Sequence, residues 1–126
     1  MYKKINVNPV CRRGDDCTVR AIATVLDKTW EEVYVDLCVY GLKEYDMPSS
    51  NHVWGEYLLD RGWTRHLVPS TCPHCYTVEQ FAKDNPVGRY ILAISGHVVA
   101  CIDGDWIDSW DSGQEIVVYY WKKEDK

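Results

Sequence analysis

The residue pattern changes half-way along the chain, and this change constrains the fold more than any other feature. In the first half, apolar residues recur at the spacing of one helical face, as Val19, Ile22, Ala23 and Leu26 do. In the second half, runs of β-branched and aromatic residues are typical of strands. Helices followed by strands, without βαβ alternation, predict an α+β fold in which N-terminal helices pack on a C-terminal antiparallel sheet.

Capping and turn residues set the expected boundaries of these elements. Asp15 and Asp16 offer N-cap chemistry before the first helix. Thr29 and Glu32 form a capping box for the second helix, and Gly41 is expected to end it. A hairpin turn is expected at 103–105. Predicted helices cover 17–26, 30–40, 51–60 and a short segment after residue 77, and predicted strands cover 65–68, 89–94, 97–103, 106–110 and 116–121.

Length and composition limit the classes of protein that remain. The 126 residues suit one domain, predicted over 1–126 with a solvated tail at 122–126. A net charge of −5 argues against nucleic-acid binding, which needs a basic face. The sequence has neither an apolar run of membrane-spanning length nor the apolar segment of a secretory signal. We therefore expect a cytoplasmic protein with reduced cysteines, whose partners are neither nucleic acid nor membrane.

A cysteine and a histidine stand where nucleophilic catalysis would need them. Cys17 is the first residue of the first predicted helix, and His97 begins a predicted strand. A helix N-terminus and a nearby imidazolium both stabilise a thiolate, which is the nucleophilic form of cysteine. His97 would act as base and acid, with a third group orienting its ring.

Asp108 and Asp111 are the two candidates for the orienting carboxylate. A two-residue turn at 104–105 would pair residue 103 with 106, which places Asp108 opposite Cys101 and on the same sheet face as His97. A three-residue loop or a bulge would bring Asp111 to that face instead. The sequence leaves both turns open.

These residues resemble the papain-like cysteine peptidase superfamily, in which Cys, His and then Asn or Asp follow one another along the chain. The third member often lies in an Asn-Ser-Trp segment, and here the segment reads Ile107-Asp-Ser-Trp110. The resemblance implies that Cys17 is the nucleophile, His97 the base and acid, and Asp108 the orienting group. Trp110 would then be the indole that shields the His–Asp pair from water.

More closely, the whole chain resembles small papain-like proteins of phages and prophages of gut Firmicutes. One departure from the papain-like pattern concerns the oxyanion donor, because the family generally places a Gln several residues before the Cys and 10–16 contains none. Asn6 or Asn8 would supply this donor, together with the backbone N–H of Cys17. The segments that carry the closer resemblance are Asp16-Cys-Thr-Val-Arg-Ala-Ile22, Pro48-Ser-Ser-Asn-His-Val-Trp-Gly55, Thr71-Cys-Pro-His-Cys-Tyr-Thr77 and His97-Val-Val-Ala-Cys-Ile-Asp-Gly104.

The motif Cys72-Pro-His-Cys75 admits three interpretations. Thiol–disulfide exchange would need a thioredoxin-like βαβ unit around it, which the sequence does not show. Structural zinc needs four ligands, so His66, His74, Cys101 or a second subunit would have to complete a site on Cys72 and Cys75. The leading interpretation is a turn with two packed thiols, and zinc is the alternative.

Three further side chains lie near the predicted nucleophile or its groove. His52 begins the third predicted helix, where the helix dipole favours a neutral and partly buried imidazole, and Trp54 would line a groove beside it. Arg20 lies one helical turn beyond Cys17 and is expected to be a solvated charge, with a salt bridge to Asp16 as the alternative.

The function we expect is that of a thiol-dependent hydrolase or acyltransferase. It would act on an amide, isopeptide or thioester bond of a peptide or protein substrate, through an acyl-enzyme on Cys17, and this chemistry requires no cofactor. One alternative is a catalytically silent papain-like module that binds another protein. Another is a zinc-stabilised adaptor that uses Cys72 and Cys75.

Overall fold

The fold is α+β, with helices in the first half and a mixed sheet that draws strands from the whole chain. The computed structural model describes residues 1–11, 15–69 and 75–123. Within these ranges the helices are α1 (Cys17–Leu26), α2 (Trp30–Glu44), α3 (Asn51–Leu59) and α4 (Val78–Asp84). The strands are β1 (Tyr2–Lys4), β2 (Trp63–Leu67), β3 (Arg89–Ile94), β4 (His97–Ile102), β5 (Asp105–Asp108) and β6 (Tyr119–Lys123).

The sheet has the strand order β1-β5-β4-β3-β6-β2. Strand β1 pairs with β5 in parallel, and the other neighbouring strands are antiparallel. The prediction of a purely antiparallel, C-terminal sheet was therefore wrong. Strand β1 occupies the free side of β5, and β6 pairs with β3 instead. Only three residues long, β1 offers no alternation from which it can be predicted.

Helices cover both faces of the sheet. Helices α1, α2 and α3 pack on one face, where Val98 and Ala100 of β4 contribute to their core. Helix α4 packs on the other face, which Val99 and Cys101 of the same strand help to build. Side chains alternate along a strand, so β4 is buried on both sides. The core thus fixes the central strand on which His97 is the first residue.

The helix boundaries follow the predicted caps with one exception. Helix α1 has the predicted bounds, and the Thr29–Glu32 capping box is confirmed. Helix α2 does not end at Gly41, however, but continues to Glu44 with Tyr45 as a left-handed C-cap. Gly41 is needed because a Cβ at this position would lie 2.6 Å from the backbone oxygen of Asp46. The glycine therefore reflects close packing and not the end of the helix.

The hairpin between β4 and β5 has a two-residue turn, which was one of the alternatives left open, and the turn lies one residue earlier than 104–105. Asp103 and Gly104 form the turn with φ values of 49° and 81°, and Ile102 pairs with Asp105. This displaces the predicted register by two residues. Because side chains on a strand alternate with a period of two, Asp108 stays on the predicted face.

The C-terminal boundary differs from the predicted one. Strand β6 begins at Tyr119 and extends through Lys123, so Lys122 and Lys123 pair with β2 and are not part of a solvated tail. Residues 124–126 lie outside the described residues. Among the helices that the structure describes, none combines the length and the apolar character that crossing a bilayer requires.

Candidate active site

The start of α1 presents Cys17 beside uncapped backbone donors. Asp16 occupies the N-cap position, but its side chain makes no capping hydrogen bond. Its carboxylate instead accepts hydrogen bonds from Asn8 Nδ2, Arg20 Nε and Trp30 Nε1, each at 3.0 Å. The first N–H groups of a helix have no partner within the helix. Asp16 therefore leaves the N–H groups next to Cys17 without a side-chain cap.

His97 is hydrogen-bonded to a buried carboxylate. Its Nε2 lies 2.6 Å from Oδ2 of Asp108, which is only 4% exposed. The same carboxylate accepts hydrogen bonds from the backbone N–H of Ser109 at 2.8 Å and from Ser112 Oγ at 2.9 Å. Arg20 Nη1 lies 3.3 Å from its Oδ1. Four donors thus hold Asp108 in place.

Asp111, the other candidate orienting group, has a different task. Its Oδ1 accepts hydrogen bonds from Trp106 Nε1 at 2.9 Å and from the backbone N–H of Gly113 at 3.0 Å. These bonds hold the indole of Trp106 in the core on the α4 side of the sheet. Of the two carboxylates, Asp108 is the one that contacts His97.

Cys17 and His97 lie close enough to shift each other's titration. With Nε2 on Asp108, the ring nitrogen left for Cys17 is Nδ1. Burial alone would raise the pKa of the thiol, but the hydrogen bond and charge of His97, with smaller help from the Val98 backbone and Thr18, lower it. Burial also disfavours the imidazolium, yet hydrogen bonds to Asp108 and Cys17 raise the pKa of His97 to about 9. Each of the two groups therefore favours the charged form of the other.

The pair lies in an open cleft of about 1370 Å³. Trp110 lies over His97, with ring centroids 5.0 Å apart, and is itself 43% exposed at the edge of the cleft. Trp54 also lines the cleft and is almost completely buried, with its Nε1 donating to Asn51. Both tryptophans therefore lie where the groove prediction expected them.

His52 is not among the described residues that line this cleft. Its side chain is exposed on the surface, where it is hydrogen-bonded to Asp46 and lies near Glu44. The prediction of a partly buried imidazole was therefore wrong. Asp46 lies in the segment after α2, so residue spacing within α3 could not predict its contact with His52.

The two candidate oxyanion donors differ in their surroundings. Asn6 lines the cleft, and its Oδ1 accepts a hydrogen bond from the backbone N–H of Asn8. Asn8 is buried, with its Oδ1 on the Val10 N–H and its Nδ2 on Asp16. The side-chain amide of Asn8 thus holds the segment before α1, whereas Asn6 is the one that faces the cleft with Cys17.

Sequence reasoning missed two side chains that support the site. Arg20 was expected in solvent, but its side chain is only 11% exposed and bridges Asp16 and Asp108. The i, i+4 spacing from Asp16 signals the first contact, whereas the second joins residues 88 positions apart. Ser112 is fully buried against Asp108, and nothing in its sequence context signals this.

The predicted zinc ligands are only partly described. Cys72 lies outside the described residues, and Cys75 is an exposed free thiol. Cys101 is buried, and desolvation raises the pKa of its thiol to about 12. Within 1–11, 15–69 and 75–123, no group of three or more His, Cys, Asp or Glu side chains is arranged to hold a metal ion. Zinc on the motif stays an untested alternative.

Neither protein-family models, nor curated proteins, nor solved structures give a significant match to this chain. The papain-like resemblance therefore rests on the sequence motifs alone.

Proposed function

We propose that the protein is a papain-like, thiol-dependent hydrolase or acyltransferase. Its substrate would be an amide, isopeptide or thioester bond of a peptide or protein. The observation that carries this proposal is the position of His97, which is bound at Nε2 to the buried Asp108 and contacts Cys17 with its other side. A nucleophile, a base and an orienting group in this order form the arrangement that covalent catalysis by a thiol requires.

In the first half-reaction, the Cys17 thiolate attacks the carbonyl carbon and forms a C–S bond. The carbonyl oxygen becomes an oxyanion, for which the N–H of Cys17 and the side chain of Asn6, which lines the cleft, are the candidate donors. As the tetrahedral intermediate collapses, the bond to the leaving group breaks and the His97 imidazolium donates its proton to that group. The products of this step are a thioester on Cys17 and a neutral imidazole.

In the second half-reaction, water or an acceptor amine attacks the thioester. Neutral His97 removes the proton of the attacking group, and the C–S bond breaks to regenerate the Cys17 thiolate and the His97 imidazolium. Hydrolase and acyltransferase thus differ only in the acceptor. The open cleft leaves room for either one.

Asp108 and Trp110 support both steps without reacting. The Asp108 carboxylate orients the ring of His97 and stabilises its charged form, as the third member of a catalytic triad does. Trp110 covers one side of the imidazole and limits the access of water to the His–Asp hydrogen bond. Coulomb attraction between these groups is stronger where water is excluded.

The pH dependence of Cys17 alkylation by iodoacetamide tests the proposal. An ordinary thiol of pKa about 8.5 is only about 0.3% thiolate at pH 6, so it alkylates several hundred-fold more slowly there than at high pH. We expect Cys17 to retain a large part of its maximal rate at pH 6, as read by peptide mass spectrometry on the folded protein. Exposed Cys75 and half-buried Cys38, neither of which lines the cleft, serve as internal reference thiols.

Two variants complete this experiment. His97→Ala is expected to return Cys17 to the profile of an ordinary buried thiol. His66→Gln is the matched control, because His66 lies on β2 at the opposite edge of the sheet from β1 and β5. A Cys17 rate that rises only near pH 8.5, in parallel with the reference thiols, would overturn the enzyme proposal and favour a catalytically silent binding module.

A further inference from the structure

Arg20 connects two carboxylates at the centre of the candidate site. It lies on α1 one helical turn beyond Cys17, and its side chain is almost completely buried. Its Nε donates to Asp16 Oδ1 at 3.0 Å, and its Nη1 lies 3.3 Å from Asp108 Oδ1. A guanidinium offers donors in a rigid plane, so one side chain can hold two carboxylates in a fixed relation.

These contacts close a ring through the site. Asp16 precedes Cys17 in the chain, Arg20 joins Asp16 to Asp108, Asp108 joins His97, and His97 contacts Cys17. The links from Asp16 through Arg20 and Asp108 to His97 are hydrogen bonds between side chains, and Cys17 and His97 shift each other's pKa. The ring ties the start of α1 to the end of β5 and to the first residue of β4. A change at Arg20 therefore reaches both Cys17 and His97.

The two carboxylate oxygens of Asp108 bind different partners, and Arg20 contacts only one of them. Oδ1 faces Arg20 and the backbone N–H of Ser109, which leaves Oδ2 for His97 and Ser112. Without the guanidinium, one oxygen of a buried carboxylate would lose its charged partner, and the carboxylate would be free to rotate toward other donors. The orientation of the His97 ring thus depends on Arg20 through Asp108.

We propose that Arg20 is a positioning residue for the Cys17–His97 pair, which it orients through Asp108 and whose working pH range it sets by its charge. This inference rests on the proposed function, since it concerns the same pair. Among the described residues, the charged groups around the pair are Asp108 from β5, Arg20 from α1, Asp15 and Asp16 from the segment before α1, and Lys4 from β1.

The sign of the expected effect follows from the charge. A nearby cation stabilises the Cys17 thiolate and destabilises the His97 imidazolium. Removal of the Arg20 charge therefore moves both titrations to higher pH. A unit charge on the far side of one carboxylate, at an effective dielectric constant of about 40, shifts a pKa by about one unit.

The test is the pH profile of Cys17 alkylation by iodoacetamide, followed from pH 5 to 10 in the full chain. In Arg20→Gln, both inflections of the profile are expected about one unit above those of the wild type. Arg20→Lys keeps the charge and is expected to restore the wild-type inflections. Arg89→Gln is the control, because Arg89 holds the other end of α1 through the Val25 carbonyl at 2.9 Å. It is expected to leave the inflections unchanged.

Asp16→Asn gives a second variant that does not depend on how well Arg20→Gln folds. It removes an anion from the same bridge, so its inflections are expected to move to lower pH, opposite to those of Arg20→Gln. Unchanged inflections in Arg20→Gln or Asp16→Asn, or a shift in the same direction in both, would overturn the role of Arg20. A wild-type profile without any reactive thiolate below pH 8 would instead overturn the proposed function, so the two failures are distinct.

Discussion

Replacement of Asp108 by asparagine is the sharpest perturbation that the site offers. The side chain keeps its size and an oxygen acceptor, but the buried negative charge next to His97 disappears. The effect of Asp108→Asn on His97 is therefore mainly electrostatic and not steric. We expect the pKa of His97 to fall by about two units or more.

The magnitude follows from the balance around the imidazole. Burial lowers the pKa of His97, and the hydrogen bonds and charges of Asp108 and Cys17 overcome it, so that the value reaches about 9 instead of 6.5. This difference corresponds to about 3 kcal/mol in favour of the imidazolium. In Asp108→Asn, Cys17 alone opposes the burial, so the pKa is expected near its ordinary value.

NMR of ¹³C-labelled histidine measures this change directly. The His97 signal is assigned with His97→Gln, and the other three histidines of the chain provide internal references. The wild-type ring is expected to titrate near pH 9. If the titration midpoint of His97 in Asp108→Asn lay within half a pH unit of the wild-type midpoint, Asp108 would not be the group that stabilises protonated His97. The triad interpretation would then fail.

Stability gives an independent check, provided that Cys17 is removed first. Folding raises the pKa of His97 to about 9, so between pH 6.5 and about 9 the folded wild-type protein keeps a proton that the unfolded chain has lost, whereas folding lowers the pKa of Cys17. The two contributions oppose each other, so the wild-type free energy of unfolding is expected to change less in this range than that of Cys17→Ala. In Cys17→Ala only the His97 contribution remains.

In Cys17→Ala, the unfolding free energy is expected to depend on pH as it does for any group whose pKa is raised on folding. The stabilisation is complete below pH 6.5 and is lost as the pH rises through the pKa of His97 in that variant. Urea unfolding is expected to show a decrease of up to about 1.4 kcal/mol per pH unit in this window. Adding Asp108→Asn to Cys17→Ala is expected to flatten the curve, and a persistent slope would contradict the assignment.

Three further substitutions test other parts of the site and fold. Ser112→Ala removes a buried donor to Asp108 Oδ2 and is expected to cost about 1–3 kcal/mol of unfolding free energy at pH 7, measured by urea titration. Asn6→Ala is expected to weaken the hemithioacetal that Cys17 forms with a peptide aldehyde by about 10-fold or more, because that adduct carries a tetrahedral oxygen. Its iodoacetamide rate should not change, since alkylation forms no oxyanion, and equal losses in both reactions would argue against an oxyanion role. Gly41→Ala is expected to destabilise by about 1–3 kcal/mol, because its Cβ would lie 2.6 Å from the Asp46 carbonyl oxygen. At an exposed position in a helix, by contrast, a Gly→Ala substitution would increase the unfolding free energy.

The parts of the fold that follow from sequence are those that local chemistry determines. The bounds of α1 follow from the helical spacing of its apolar residues, and the capping box of α2 follows from two side chains at the helix start. The side of the sheet on which Asp108 lies follows from one of the two turns that the sequence left open, although that turn was placed one residue late. An error of two in the register moves a residue along the strand and does not change its face.

The parts that the sequence does not reveal depend on contacts between distant segments. The pattern around Arg20 is that of an ordinary helix with an i, i+4 ion pair, and its second partner lies in β5. Gly41 looks like a helix end until the chain that follows α2 folds back against it. Strand β1 becomes a strand only because β5 offers it an unpaired edge. In each case the contact that determines the structure is made with a residue outside the helix or strand concerned.

The site itself joins the two halves of the chain, and this explains why its charges are linked so closely. Cys17 comes from the helical half, whereas His97 and Asp108 come from the strand half. The apolar contact between α1 and β4 brings the halves together. Dispersion and apolar burial are not directional, so small shifts of α1 against β4 change the free energy little. The separation between a nucleophile and its base must be held to within about half an ångström. The hydrogen-bonded ring through Arg20 supplies this directional restraint at the point where the apolar core ends.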